Sequence, residues 1–183
     1  MSTLWSNRWL YVAGMLVVCV VTIAAQVAQT LRIVPITRDN QVLVSFEVAD
    51  GYTNDVRDAI ASGLKTTFSY DVELRMVARM WVDPVIATSV VTVSDRYDNL
   101  TRRHTLMRTV DGREIDSTTT ESEATVRQWL TSLDKLAICR TTKLEPNRDY
   151  YVRVSARVLP YHTSMLGWTS AIVGRTPFTF VPY

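Results

Sequence analysis

The sequence predicts an α+β, mainly β domain: an antiparallel β-sandwich or strongly curled sheet with two helices, preceded by an N-terminal transmembrane helix. Three observations carry this. From Leu64 to Val82 the chain reads LKTTFSYDVELRMVARMWV. Its even positions are mostly apolar and its odd positions mostly charged or polar, the period of a half-buried strand. Shorter Val- and Thr-rich segments recur along the chain, separated by the turn signals Arg38-Asp39-Asn40, Asp83-Pro84, Asp111-Gly112 and Pro146-Asn147. Finally, 23 residues between Arg8 and Arg32 carry no charge.

Taken in order, residues 1–8 form a short tail and residues 9–30 a membrane anchor or a signal peptide cut after Ala24-Ala25. As a helix the uncharged run spans about 34 Å, against roughly 30 Å of bilayer hydrocarbon. Trp5, Trp9 and Tyr11 cluster at one end, as interfacial aromatics do. The run exceeds a signal-peptide core, which favours an uncleaved anchor. The eight-residue tail stays in the cytosol on this reading, leaving residues 31–183 as an extracytoplasmic β-rich domain. Strands are expected over Leu31–Ile36 and Gln41–Ala49. Asn54 caps a short helix through Ser62, and Gly63 supplies a left-handed stop.

The long alternation, Leu64–Val82, would run roughly 60 Å if straight, so a bend, coil or bulge is expected. Asp83-Pro84 turns the chain into a partner strand, Val85–Tyr97. Tyr97–Thr101 is a turn, Arg103–Val110 a strand and Arg113–Thr120 its return, with Ser117–Glu123 the least ordered-looking stretch. A second helix is expected over Ser122–Ala137, its stripe formed by Val126, Trp129, Leu130, Leu133, Leu136 and Ala137. Tyr150–Leu159 is a strand ended by Pro160, Tyr161–Thr176 an irregular segment, and Phe178–Val181 a last short strand that could close the sheet.

Composition excludes more than it assigns. A net charge of +2 gives no field to steer nucleic acid. The two cysteines, Cys19 and Cys139, form no disulfide framework or metal spacing and read as packing residues. His104 and His162 lack ligand spacing, and Ser164 near His162 lacks an elbow motif. Asp71, Glu73 and Asp83 read as solvated surface carboxylates. Arg75, Arg79, Arg102, Arg103, Arg108, Arg153 and Arg157 form either a face balanced by Asp71, Glu73 and Glu114 or a contact for anionic headgroups or an acidic partner. No catalytic, cofactor or metal residue is assigned, and no cofactor is expected.

The order of several features resembles the DUF4390 family, a bacterial domain of unknown function. They are Ala59-Ile60-Ala61-Ser62-Gly63-Leu64 leading into the long strand, Trp81-Val82-Asp83, Tyr97-Asp98-Asn99-Leu100-Thr101, the Trp129–Leu136 helix, Tyr150-Tyr151-Val152 and Leu159-Pro160. The resemblance covers about residues 31–181. It implies a bacterial exported or membrane-anchored protein and supplies no catalytic residue. The functional expectation is a single-pass inner-membrane protein with its C-terminal domain in the periplasm or outside. It would be a non-enzymatic protein-interaction or envelope structural module, with an envelope or membrane protein as partner. Two alternatives stand beside it. One is binding or transfer of an apolar ligand such as lipid along the even-numbered face from Phe68 to Met80. The other is an accessory sensor domain for a membrane signalling partner.

Overall fold

Alternation of apolar and polar residues is realised as strands along most of the chain. The computed structural model describes residues 31–78, 82–160 and 172–181. In order these form β1 (Leu31–Arg38), β2 (Gln41–Val48), α1 (Asn54–Ala61), β3 (Thr66–Met76), β4 (Val85–Asp98), β5 (Arg103–Val110), β6 (Arg113–Thr120), α2 (Glu123–Thr131), β7 (Ser132–Arg140), a 3-10 turn (Thr141–Lys143), β8 (Asp149–Pro160) and β9 (Ile172–Thr179). The expected anchor over 9–30 and the residues Arg79, His162 and Ser164 lie outside the described residues. No helix among the described residues is long and apolar enough to cross a membrane.

Two antiparallel sheets result, with strand orders β1-β2-β7 and β6-β5-β4-β3-β8-β9, and neither closes on itself. Their inner faces share one core. Val42, Val44 and Phe46 of β2 meet the inward side of β3, where Phe68, Tyr70, Val72 and Leu74 are at most 1% exposed. The Phe46 and Tyr70 rings lie 4.8 Å apart. Burying each such side chain contributes about 1.5–3 kcal/mol. Helix α2 seals the core with Val126 and Leu130, both fully buried. Its last carbonyls, which have no partner within the helix, are met from the sheet. The Tyr70 hydroxyl donates to Leu130 O, and Arg108 Nη2 lies 3.5 Å from both Trp129 O and Ser132 O.

Turn chemistry follows the sequence closely. Asp39 and Asn40 both take positive φ, as a two-residue hairpin turn requires, and so do Asp111 and Gly112. Gly63, at φ +82°, ends α1 as expected. Asp98 Oδ1 accepts from Leu100 N at 2.8 Å and organises the next turn.

Five boundaries differ from expectation. Thr53, not Asn54, caps α1: its extended backbone lets Oγ1 accept from Val56 N at 3.3 Å. Among the described residues of the long alternation, the strand itself covers Thr66–Met76, with one further backbone bond from Val77 N to Asp149 O. Its ladder with β4 slips at Leu74/Arg75, and beyond Met76 the Ala78 N–H donates to Asp83 Oδ1 at 2.9 Å instead of a neighbouring strand. Ser117–Thr120 is ordered, paired with β5 as the end of β6.

The second helix stops at Thr131, and Ser132–Arg140 is strand β7, paired with β2. There the register jumps from Val44↔Leu136 to Phe46↔Leu133, a bulge at Asp134 and Lys135 with Lys135 at φ +54°. The bulge leaves Leu133 and Leu136 both facing the core at a spacing of three, which imitates helical periodicity. Finally, Ile172–Thr176 is strand: β9 begins six residues before the expected Phe178 and lines the edge of the larger sheet without closing it.

Candidate functional site

Among the described residues a cleft lies where the outer face of the small sheet meets the start of α1 and one side of α2 along its length. Inward Ile33, Val44, Phe46 and Val48 alternate with outward Arg32, Val34, Ser45 and Glu47. Pleating therefore lays a polar row beside the helices. Gly51 lets the chain leave β2 tightly, since an added Cβ would lie 3.2 Å from Val48 Cγ1. Tyr52 follows at once and is buried. Across from it, Ser122 starts α2 by accepting from Thr125 N at 3.4 Å. The two helices are bridged by Arg57 Nε and Glu123 Oε1 at 2.7 Å.

The cleft encloses about 690 Å³, within the range of small-ligand and peptide-side-chain pockets. Val34, Phe46 and Leu133 give it apolar walls, and Arg32, Arg57, Arg127, Glu47, Glu123 and Asp134 give it a rim of both signs. The Arg127 guanidinium sits over the Tyr52 ring, 5.4 Å from its centre. Burial first, and then the nearby Glu123 carboxylate, push the Tyr52 phenol above its ordinary pKa. On the far wall Ser45 clamps the β7 bulge. Its hydroxyl donates to Asp134 Oδ1 at 2.6 Å and accepts from Lys135 N at 3.0 Å. That bond to the carboxylate holds the Asp134 carboxyl below the usual range. Among the described residues, Arg32, Arg127 and Glu47 form no ion pair, so both signs remain available at the rim.

A second polar feature is buried. Asp95 is 0% exposed and accepts from or donates to His104 Nδ1 across 2.8 Å. The Tyr97 ring lies 4.5 Å from the imidazole. Among the described residues the other Asp95 oxygen, Oδ1, has no hydrogen-bond partner, and neither does Thr66 Oγ1 on the residue paired with Asp95. Burial raises the Asp95 carboxyl, with His104 pulling the other way. Sequence reasoning singled out His104 but missed Asp95. The signal was present in the alternation, since Val91, Val93 and Asp95 share the inward face of β4. An Asp–His pair orients an imidazole, but nucleophilic catalysis also needs a reactive group beside the ring. No side-chain hydrogen bond to His104 other than that of Asp95 occurs among the described residues.

The remaining candidates resolve into surface and structural roles. Asp71 pairs with Arg157 at 2.7 Å, and Glu73 with Arg75 at 2.8 Å and Arg153 at 3.9 Å. The outer face of β3 is thus internally compensated. Arg103 pairs with Glu121 at 3.0 Å, and Arg102 takes a positive φ in the β4–β5 turn. Asp83 is engaged by Ala78 N and by the Tyr151 hydroxyl, which lower its pKa in that order. Arg108 turns inward, 4.2 Å from the Trp129 ring centre, and burial lowers its pKa.

The even-numbered face of β3 is filled by core side chains from Phe68 to Leu74 and offers no groove there. Half-buried Cys139 has its thiol pushed up by burial. Among the described residues no three His, Cys, Asp or Glu side chains are grouped to hold a metal ion.

No curated protein and no solved structure matches the chain. A family model does, over residues 25–161, which takes in the end of the uncharged run and every element from β1 through β8. With three quarters of its length under that match, the chain belongs to the DUF4390 family, a domain of unknown function.

Proposed function

We propose that the protein is a membrane-anchored, extracytoplasmic, non-enzymatic binding module that holds a segment of a partner protein in the cleft between the small sheet and α2. The cleft is the observation that carries this reading. It joins apolar walls to a rim of three arginines and three carboxylates, the mixture that recognises polypeptide better than a uniformly charged ligand. The uncharged run over 9–30 supports a single-pass anchor in the bacterial inner membrane. The near-neutral net charge argues against nucleic acid as the partner.

The test is affinity purification of the full chain from membranes in mild detergent, beside the variants Arg127→Glu and Glu47→Lys. A stoichiometric protein should accompany the wild type and be depleted by both reversals, while Glu114→Lys on β6, away from the cleft, retains it. Equal recovery with all four proteins would overturn the cleft as the binding surface. A catalytic turnover abolished by one polar substitution would overturn the non-enzymatic reading.

A further inference from the structure

The cleft opens where the uncharged run joins the domain. Arg32 is the first charge after that run, and both it and Val34 line the cleft. Chain length therefore limits how far the cleft can stand from a bilayer spanned by residues 9–30. Arg32 stands two residue steps from the end of that span, with only Leu31 between, a reach of about 7 Å fully extended. If the span ends at Ala25, seven residues reach only about 24 Å. Strand β1 is fixed where it begins, because Leu31 pairs with Val48 and packs against Gly174. The cleft cannot swing away on a long tether.

We infer that the occupant of the cleft is a juxtamembrane segment of an integral membrane protein in the same bilayer as this chain. The inference rests on the anchor and on the cleft reading proposed above, and adds where the partner must lie. Confinement to one membrane raises the partner's effective concentration at the height of the cleft. A segment emerging from a transmembrane span is already there. Rim charge separates this partner from lipid. An anionic headgroup would meet three carboxylates as well as three arginines, whereas an extended segment carrying both signs can satisfy both. Arg127 and Glu47, unpaired among the described residues, supply the two poles.

The test is photo-crosslinking in intact membranes with the full chain carrying a benzophenone amino acid at Val34 or Gln128, both exposed and both lining the cleft, or at Arg113 at the start of β6 as control. The expected product at both cleft positions is an adduct with one integral membrane protein, mapped to within about ten residues of the end of a transmembrane span, a stretch of ~35 Å at most. Arg113 should not give it, and Arg127→Glu should cut its yield about fivefold, as loss of a modest polar contact does.

An adduct with phospholipid, with a soluble protein or with a stretch remote from any span would overturn this inference while leaving a binding cleft in place. No adduct at either cleft position, with the chain retained in carbonate-washed membranes, would overturn the cleft reading and this inference with it. Release of the chain by the carbonate wash would overturn the anchor, and with it the height argument.

Discussion

His104→Ala should be among the most damaging single substitutions in the domain, and its cost should depend on pH. Among the described residues the imidazole is the only side chain bonded to Asp95, whose second oxygen already lacks a partner in a site with no solvent exposure. Removing one member of a buried pair strands the other charge, at about 3–5 kcal/mol. At the usual 2–4 °C per kcal/mol for a domain of this size, the melting temperature should fall by about 10 °C.

Burial already raises the Asp95 carboxyl, and loss of the imidazole removes the larger of the influences opposing that rise, leaving the Arg96 backbone N–H. A carboxyl whose folded pKa lies above its unfolded value of about 3.9 binds more protons folded than unfolded. Its favourable contribution is present below the unfolded pKa and is lost as pH rises through the folded pKa. The deficit of His104→Ala should therefore be largest at pH 7 and shrink towards pH 4.5, by up to ~1.4 kcal/mol for each unit of additional shift. Chemical denaturation of the full chain in mild detergent, followed by tryptophan fluorescence at both pH values, measures this. Adding Asp95→Asn should recover some of the loss at pH 7. A loss under about 1 kcal/mol, or one identical at the two pH values, would refute the view that a buried charge is being neutralised.

The other predictions concern packing and backbone. Leu130→Ala empties a fully buried site at the base of α2 and should cost about 2–5 kcal/mol in the same denaturation assay. Ser45→Ala removes both bonds that hold the β7 bulge. It should cost about 1–2 kcal/mol and speed hydrogen exchange at the Lys135 amide above that of its strand neighbours. Gly63→Ala forces a side chain into φ +82° with Asn99 Nδ2 only 3.2 Å from the new Cβ. A loss of about 1–2 kcal/mol follows, whereas Gly112→Ala, at φ +78° with open space around it, should show the backbone component alone.

Period-two patterning made most of the strands legible because one face of each is buried and the other is wet. It failed where pairing geometry changed the period. The β7 bulge put Leu133 and Leu136 on one face at a spacing of three, and the strand passed for two more turns of helix. It also failed at the end of β3: the strand stops at Met76 and the Ala78 amide is met by the Asp83 side chain, a contact that periodicity does not register. The cleft was not legible at all. Its lining comes from β1, β2, β7, the start of α1 and the length of α2, and only the crossover that sets β7 beside β2 gathers them. The choice between a balanced and a basic arginine face was open for a related reason. Arg153 and Arg157 lie beside Glu73 and Asp71 only once β8 pairs with β3 in its observed register, which neutralises the patch.

The seam between β1 and β9 has a mechanical consequence. These edges run alongside each other without a ladder. Leu31 seats over Gly174, and the Thr176 hydroxyl donates to Ile33 O at 3.4 Å. Tension applied through the residues before Leu31 falls on the open end of the β1–β2 hairpin, where pairs can separate singly from Leu31↔Val48 towards the turn at Asp39-Asn40. The Leu31–Gly174 contact and the Thr176 bond are the first to take that tension. A tug on the N-terminal segment would peel β1 and strip Arg32 and Val34 from the cleft before the six-stranded sheet yields; on the reading proposed above, tension on the anchor would then weaken the hold on a partner segment.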